Sequence, residues 1–404
     1  MPVSSRCKAL LLTLFLGAAA SSEEPPAFEP TAPPAQAGNS NPETKSHGFD
    51  ALGVPLLSFN SDTGFGFGAA GGAFFYSPGY SPFRASVSAQ VFFTTLGQQN
   101  HFIQLDLPKL FLGLRVESRI EYRRDLFSPY YGVGNFAAPG ANYDTQLRRF
   151  GYDRTRPAAF VRFRGKPLGD KKPLQTYVGL RAQANSIQTY PGSLLSEQQS
   201  RGIHGGWNNQ LQVGALWDTR DDENVTTRGG MEELAYRVSG DATGSTFRYY
   251  GFHFTERRFA PIGRRVVLAE RVTGDALFGQ VPFFDWNAFG GISDAEGIGG
   301  ISSTRGVPLD RYGGNYKVFS NTEVRVHVWD FEFLKQTINV GVLALFDFGR
   351  AWQPRVDNGP WSAFHGGAGA GLRLTRREAV VRFDYAVDTD DGRQAFYVAF
   401  GQMF

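Results

Sequence analysis

Tyr316-Lys317-Val318-Phe319-Ser320-Asn321-Thr322-Glu323-Val324-Arg325-Val326-His327-Val328-Trp329 follows a long Gly-rich loop that closes on Ser303-Thr304-Arg305-Gly306-Val307. The even positions from Val318 to Val328 are aliphatic or small, and Asn321, Glu323, Arg325 and His327 alternate with them. Side chains of a strand point to opposite faces in turn, so one face is apolar and the other carries the charges. A soluble sandwich hides such an apolar face against a second sheet. A membrane barrel hides it in lipid and wets the charged face from a lumen.

The same period runs outward from this stretch. Leu114, Val116, Ser118, Ile120 and Tyr122 alternate with Arg115, Glu117, Arg119, Glu121 and Arg123. A row of five charges suits a watery lumen whose neighbouring strands supply counter-charges. Val54–Asn60 reads as the first strand, Gly64–Tyr76 as the second and Ala395–Phe404 as the last, sixteen in all over residues 48–404. That allows about 22 residues per strand and connection, enough for the ~9–11 that cross a bilayer. Connections alternate short, as at Phe111-Leu112-Gly113, and long, as from Gln280 to Asn315. The expected fold is therefore all-β: a 16-stranded antiparallel transmembrane β-barrel. Trp217, Trp329 and Trp352 fall near expected strand ends, where an aromatic girdle sits.

Ahead of the strands, Arg6 and Lys8 precede the apolar run Ala9–Leu16 and the small residues Ala18-Ala19-Ala20. This reads as a signal peptide over residues 1–20, too short for a membrane helix. Cys7, the chain's one cysteine, lies before the apolar run, so neither lipidation nor a disulfide is expected after cleavage. Loss of Arg6 and Lys8 lowers the formal charge from +3 to +1, since residues 1–20 hold no acid. Nothing there argues for nucleic acid as a partner. Residues 21–47 are rich in Pro, Ala, Glu, Asn and Ser and read as a disordered linker.

With these motifs in place, the chain resembles the BamA/TamA-type outer-membrane assembly factors, the bacterial surface antigen barrels. In that family the sixth extracellular loop folds back into the lumen with a Val-Arg-Gly-Phe-like tip, similar to Thr304-Arg305-Gly306-Val307 here. The following strand carries an Asn-x-Glu-Leu-Arg pattern, matched by Asn321, Glu323 and Arg325, and the next resembles Leu345-Phe346-Asp347-Phe348-Gly349. The resemblance implies a bacterial outer-membrane location, outer-membrane lipid around a monomeric barrel, and unfolded protein or lipid clients. The family delivers clients through periplasmic POTRA domains. Residues 21–47 are too few for one, so the expectation is a barrel-only variant with a separate periplasmic partner.

Three expectations about sites follow. An arginine folded into a dehydrated lumen needs carboxylate partners, and its planar fork takes them two-pronged. Arg305 and Gly306 are thus expected to lock the loop to the wall through Asp347, with Glu323 near; the alternative is an exposed Arg305 and water-lining carboxylates. The seam between first and last strands should be weak, because Pro55 offers no N–H and Gly401 loosens the strand that ends at Phe404. No enzyme, metal or cofactor is expected. Gly66-Phe67-Gly68-Ala69-Ala70-Gly71 matches a dinucleotide motif but sits inside a strand, and His253 and His327 have no nucleophile placed beside them. The functional expectation is insertion or translocation of protein or lipid. The alternative is a passive pore or a plugged structural barrel.

Overall fold

In a computed structural model of the chain, residues 47–404 are described apart from 81, 139, 142–144, 171, 293–295, 334–335, 355, 357–359 and 377–378. The expected signal peptide, and all of the expected linker but His47, lie outside the described residues. Sixteen strands form the wall. They are β1 Gly48–Asn60, β2 Gly64–Tyr76, β3 Ala85–Thr94, β4 Gln98–Leu107, β5 Arg115–Pro129, β6 Gly151–Gly165, β7 Leu174–Thr189 and β8 Gln210–Asp218. The second half is β9 Gly229–Ser239, β10 Tyr249–Ile262, β11 Val266–Gly279, β12 Tyr316–Phe333, β13 Gln336–Trp352, β14 His365–Arg376, β15 Ala379–Asp388 and β16 Gln394–Phe400. Each pairs antiparallel with its neighbours in sequence, and β16 returns to β1, so the sheet closes. A two-residue piece, Gly206–Trp207, adds to the edge of β7 outside this round.

Closure removes the open edges that lipid cannot hydrate, and strand parity sorts side chains between lipid and lumen. On β2 the lipid-facing Phe65 and Phe67 are exposed while Gly66 is buried. The dinucleotide-like motif is thus one strand with alternating faces. On β5, Glu117, Arg119, Glu121 and Arg123 are buried inside, and Ile120 and Tyr122 stand outside. β12 keeps this order down to His327; there the register slips, Val328 bulges, and Trp329 turns out to lipid opposite Val340. One extra residue reverses the faces of a strand, so the aliphatic row ends at the bulge.

At the seam two boundaries differ from the sequence reading. The first strand starts at Gly48 rather than Val54. Its inward residues Val54 and Leu56 pack with Phe92 in an apolar cluster, and its outward Phe49 and Leu57 are exposed. From Ala51 to Leu57 both faces are apolar, so that stretch shows no alternation to read. The last strand stops at Phe400 rather than Phe404. At Gly401 φ is +80°, and residues 402–404 leave the wall for the lumen.

Candidate functional site

Residues 280–315 join β11 to β12, and most of the described residues among them are buried. The segment folds on itself first: Ile298 and Tyr312 form an antiparallel bridge, and Gly300 N donates to Val307 O at 3.0 Å. Phe289, Ile298, Val307 and Tyr312 then pack on Phe319 and Ala351 of the wall. Polar anchors complete the seating. Ile292 N donates to Glu233 (2.8 Å), Glu296 pairs with Arg123 (3.0 Å) and Arg156 (3.1 Å), and Asp285 accepts from Asn208 and the Tyr249 hydroxyl.

At the tip, Arg305 is wholly buried with three carboxylates around it. Its Nε and Nη2 donate to the two oxygens of Asp347 at 2.7 and 3.0 Å, and its backbone N–H adds a third bond to Asp347 at 3.1 Å. Nη1 donates to Glu323 at 2.7 Å and to Asp384 at 3.2 Å. Burial alone disfavours its charge, but Asp347, Glu323 and Asp384 outweigh it and push its pKa well above the ordinary arginine value. The fork-to-carboxylate geometry is the strongest form of such a pair. Glycine makes room for it. A Cβ on Gly367 of β14 would sit 1.8 Å from the Arg305 carbonyl oxygen. Gly306 has φ +95°, and a Cβ there would approach Asp388 N at 2.9 Å. Gly306 N also donates to the Tyr397 hydroxyl of β16 at 3.2 Å.

A ring of arginines surrounds this contact. Arg325 donates to Glu323 at 2.8 Å, and Arg373 to Asp384 at 2.5 Å, with Arg373 also 3.5 Å from Glu323. Arg271 donates to Asn321 Oδ1 (2.9 and 2.7 Å) and to Ser302 O (2.6 Å), while Asn321 Nδ2 donates to Ser303 O at 2.5 Å. The same arginines hold the chain end. Gln402 accepts from Arg373 (3.2 Å), Met403 O from Arg271 (3.4 Å) and Phe404 O from Arg325 (3.2 Å). The Phe404 ring lies 5.1 Å from both the Arg271 and the Arg325 guanidinium.

The tuck of the tail thins the seam. β1 pairs with β2 along its whole length, from Gly48 opposite Tyr76 to Asn60 opposite Gly64. Toward β16 it pairs only where Phe59 faces Val398 and Asn60 faces Tyr397. Just beyond, Ser61 N donates to Phe396 O (3.2 Å) and Asp62 pairs with Arg393 (2.9 Å). The seam is thus fastened at the Ser61 end, and the edge of β1 from Gly48 to Ser58 has no partner strand on that side among the described residues.

The structure brings Arg305, Gly306, Glu323, Asp347, Asn321 and Arg325 into one cluster, with Arg305 buried. Phe404 is not a seam residue; it lies in the lumen with Phe259, Ala269 and Met403. Pro55 faces Ala69 on β2, and its missing N–H falls within the unpaired stretch. Sequence reasoning missed Arg271, Arg373 and Tyr397. The inward row Gly367, Gly369, Gly371 and Arg373 held a usable signal, a stripe of small residues ending in a charge. Of the two histidines, His253 is buried with Nδ1 3.4 Å from Asp275, which also pairs with Arg237 and Lys317. His327 sits 3.3 Å from Asp330 at the wall.

Comparison with known proteins follows the same lines. Residues 71–404 match the Omp85 superfamily domain. Among solved structures, BamA from Haemophilus ducreyi lacking POTRA domains 1–3 aligns with TM-score 0.58 and 15% identity, over 88% of this chain and 70% of that one. CdiB from Escherichia coli gives 0.54 and 15% over 88% and 62%; CdiB from Acinetobacter baumannii gives 0.52 and 14% over 87% and 59%. The chain thus spans about three fifths of the CdiB chains. No curated protein matches it.

Proposed function

The chain belongs to the Omp85 superfamily, outer-membrane barrels of Gram-negative bacteria, and on that premise we propose that it assists insertion or translocation of protein or lipid at the outer membrane. The observation that carries this reading is the seam. An unpaired strand edge in lipid is expensive, and barrels ordinarily abolish it. Here the edge from Gly48 to Ser58 is left open toward β16 while every other wall interface is laddered. Such an edge can accept an incoming strand or part to let an amphiphile pass, with a separate periplasmic partner delivering the client. We read the chain as a transport or assembly factor and not as an enzyme.

A second reading has its own support. The loop tip is bound by buried charge to β12, β13 and β15, which favours a plugged structural barrel that moves nothing. A disulfide across the seam separates the two. Cysteines at Phe59 and Val398 stand directly opposite, and residues 8–404 contain no native cysteine. In liposomes offered an unfolded barrel client, the oxidised protein is expected to lose assembly activity and the reduced protein to regain it. Full activity with the seam cross-linked shut would rule out seam opening, and no assembly activity in either redox state would leave the plugged barrel as the better reading.

A further inference from the structure

Six inward guanidinium groups crowd the wall of β10–β15 and the loop tip: Arg257, Arg271, Arg305, Arg325, Arg373 and Arg382. Three carboxylates, Glu323, Asp347 and Asp384, sit among them, and Arg305 takes both oxygens of Asp347. Two of the cross-strand pairs are arginine facing arginine: Arg257 opposite Arg271, and Arg373 opposite Arg382. Like charges directly opposite on a sheet repel, and a buried charge without a partner is costly. Arg271 finds only neutral acceptors in Asn321, Ser302 and Met403. Arg382 is 5% exposed and no nearer to a carboxylate than 3.8 Å, at Asp384. Its Nε and Nη1 are buried with no hydrogen-bond partner among the described residues, and Nη2 of the facing Arg373 makes no hydrogen bond there, only a 3.5 Å ion pair with Glu323.

We infer that Arg373 and Arg382 form a binding site for a phosphate-type anion. Two guanidinium forks from directly opposed positions on adjacent strands offer several N–H donors to one oxyanion, and arginine is suited to such recognition. The anion would supply the charge that Asp384 cannot, since Asp384 is already shared with Arg305. Gln402 of the inturned tail lies against Arg373, and β16, the seam strand, flanks Arg382 through Ala399. The site therefore adjoins the seam, and the anion it would take is the phosphate of a lipid headgroup or free phosphate. This inference does not depend on the proposed assembly function.

The test is the unfolding midpoint of the purified barrel in a non-ionic detergent. Sodium pyrophosphate is titrated at an ionic strength held constant with chloride. In parallel, phosphatidylcholine nanodiscs are compared with and without phosphatidylglycerol. A ligand that binds only the folded state raises the midpoint, and the rise levels off as the site fills. Pyrophosphate acting in detergent points to free phosphate; phosphatidylglycerol acting alone points to a lipid headgroup. Arg382→Gln is expected to remove the rise, or to weaken apparent affinity at least about tenfold, and to melt no lower than the unsubstituted barrel without the anion. That last sign is the opposite of what loss of a paired arginine gives. Arg382→Lys, which keeps the charge without the fork, should retain a weakened response. The inference is overturned if neither probe raises the midpoint beyond the chloride control, if Arg382→Gln responds like the unsubstituted chain, or if it melts well below it without the anion.

Discussion

Arg305→Ala is expected to destabilise the barrel by about 3–5 kcal/mol, the range for removing one partner of a buried ion pair. The cost falls chiefly on Asp347. Glu323 keeps Arg325 and Arg373, and Asp384 keeps Arg373. Asp347 would lose both side-chain bonds from Arg305 and stay fully buried. Asp347→Ala should cost less, because Arg305 retains Glu323 and Asp384. In the double variant the orphaned carboxylate is gone, so the combined loss should fall short of the sum. Arg305→Lys should land between, a point charge being unable to span three carboxylates as the guanidinium does. Urea midpoints of the heat-modifiable band would measure the four variants. Strict additivity of the Arg305 and Asp347 losses would mean that the pair is not coupled.

Gly367→Val should expel the loop tip. Its Cβ would lie 1.8 Å from the Arg305 carbonyl oxygen, a backbone atom with no rotamer to yield. Overpacking a tight core costs typically about 1–3 kcal/mol where side chains can adjust. Here the neighbour cannot adjust, so relief requires that the tip leave together with the ion pairs it makes. The readout is trypsin. Arg305 is inaccessible in the seated loop and becomes a cleavage point once the tip is released. Conductance across a planar bilayer should rise in step. Ala368→Val, one residue on and facing lipid, is the control and should change neither. Protection of Arg305 in Gly367→Val would show that the tip can be seated some other way.

Strand parity was legible because lipid and lumen impose opposite chemistry on alternate residues, as in the charged row from Arg115 to Arg123. It also placed Glu323 and Asp347 on one face, so a buried Arg305 had visible partners. What parity cannot give is a contact across the lumen. Tyr397 meets the loop at Gly306 from a strand remote in sequence, and no local pattern announces it. Nor could it show that β1 begins at Gly48, since both faces are apolar from Ala51 to Leu57, or that the strand ending in Phe404 breaks at Gly401. The alternating Phe396, Val398 and Phe400 simply run on into it.

The seating of the loop also constrains the order of folding. Leu309 N bonds to Asp62, 247 residues earlier, and Arg393 bonds both Gly306 O and Asp62, the latter 331 residues away. These bonds tie the loop to the two strands that meet last, so they cannot form until the chain's ends come together. Closing so long a stretch carries its entropy penalty before any of these contacts repays it. A loop gripped from both sides of the seam is hard to thread into a finished cylinder. It has to be wrapped as the cylinder shuts, and in refolding the acquisition of trypsin resistance at Arg305 and the appearance of the compact gel band should share one rate.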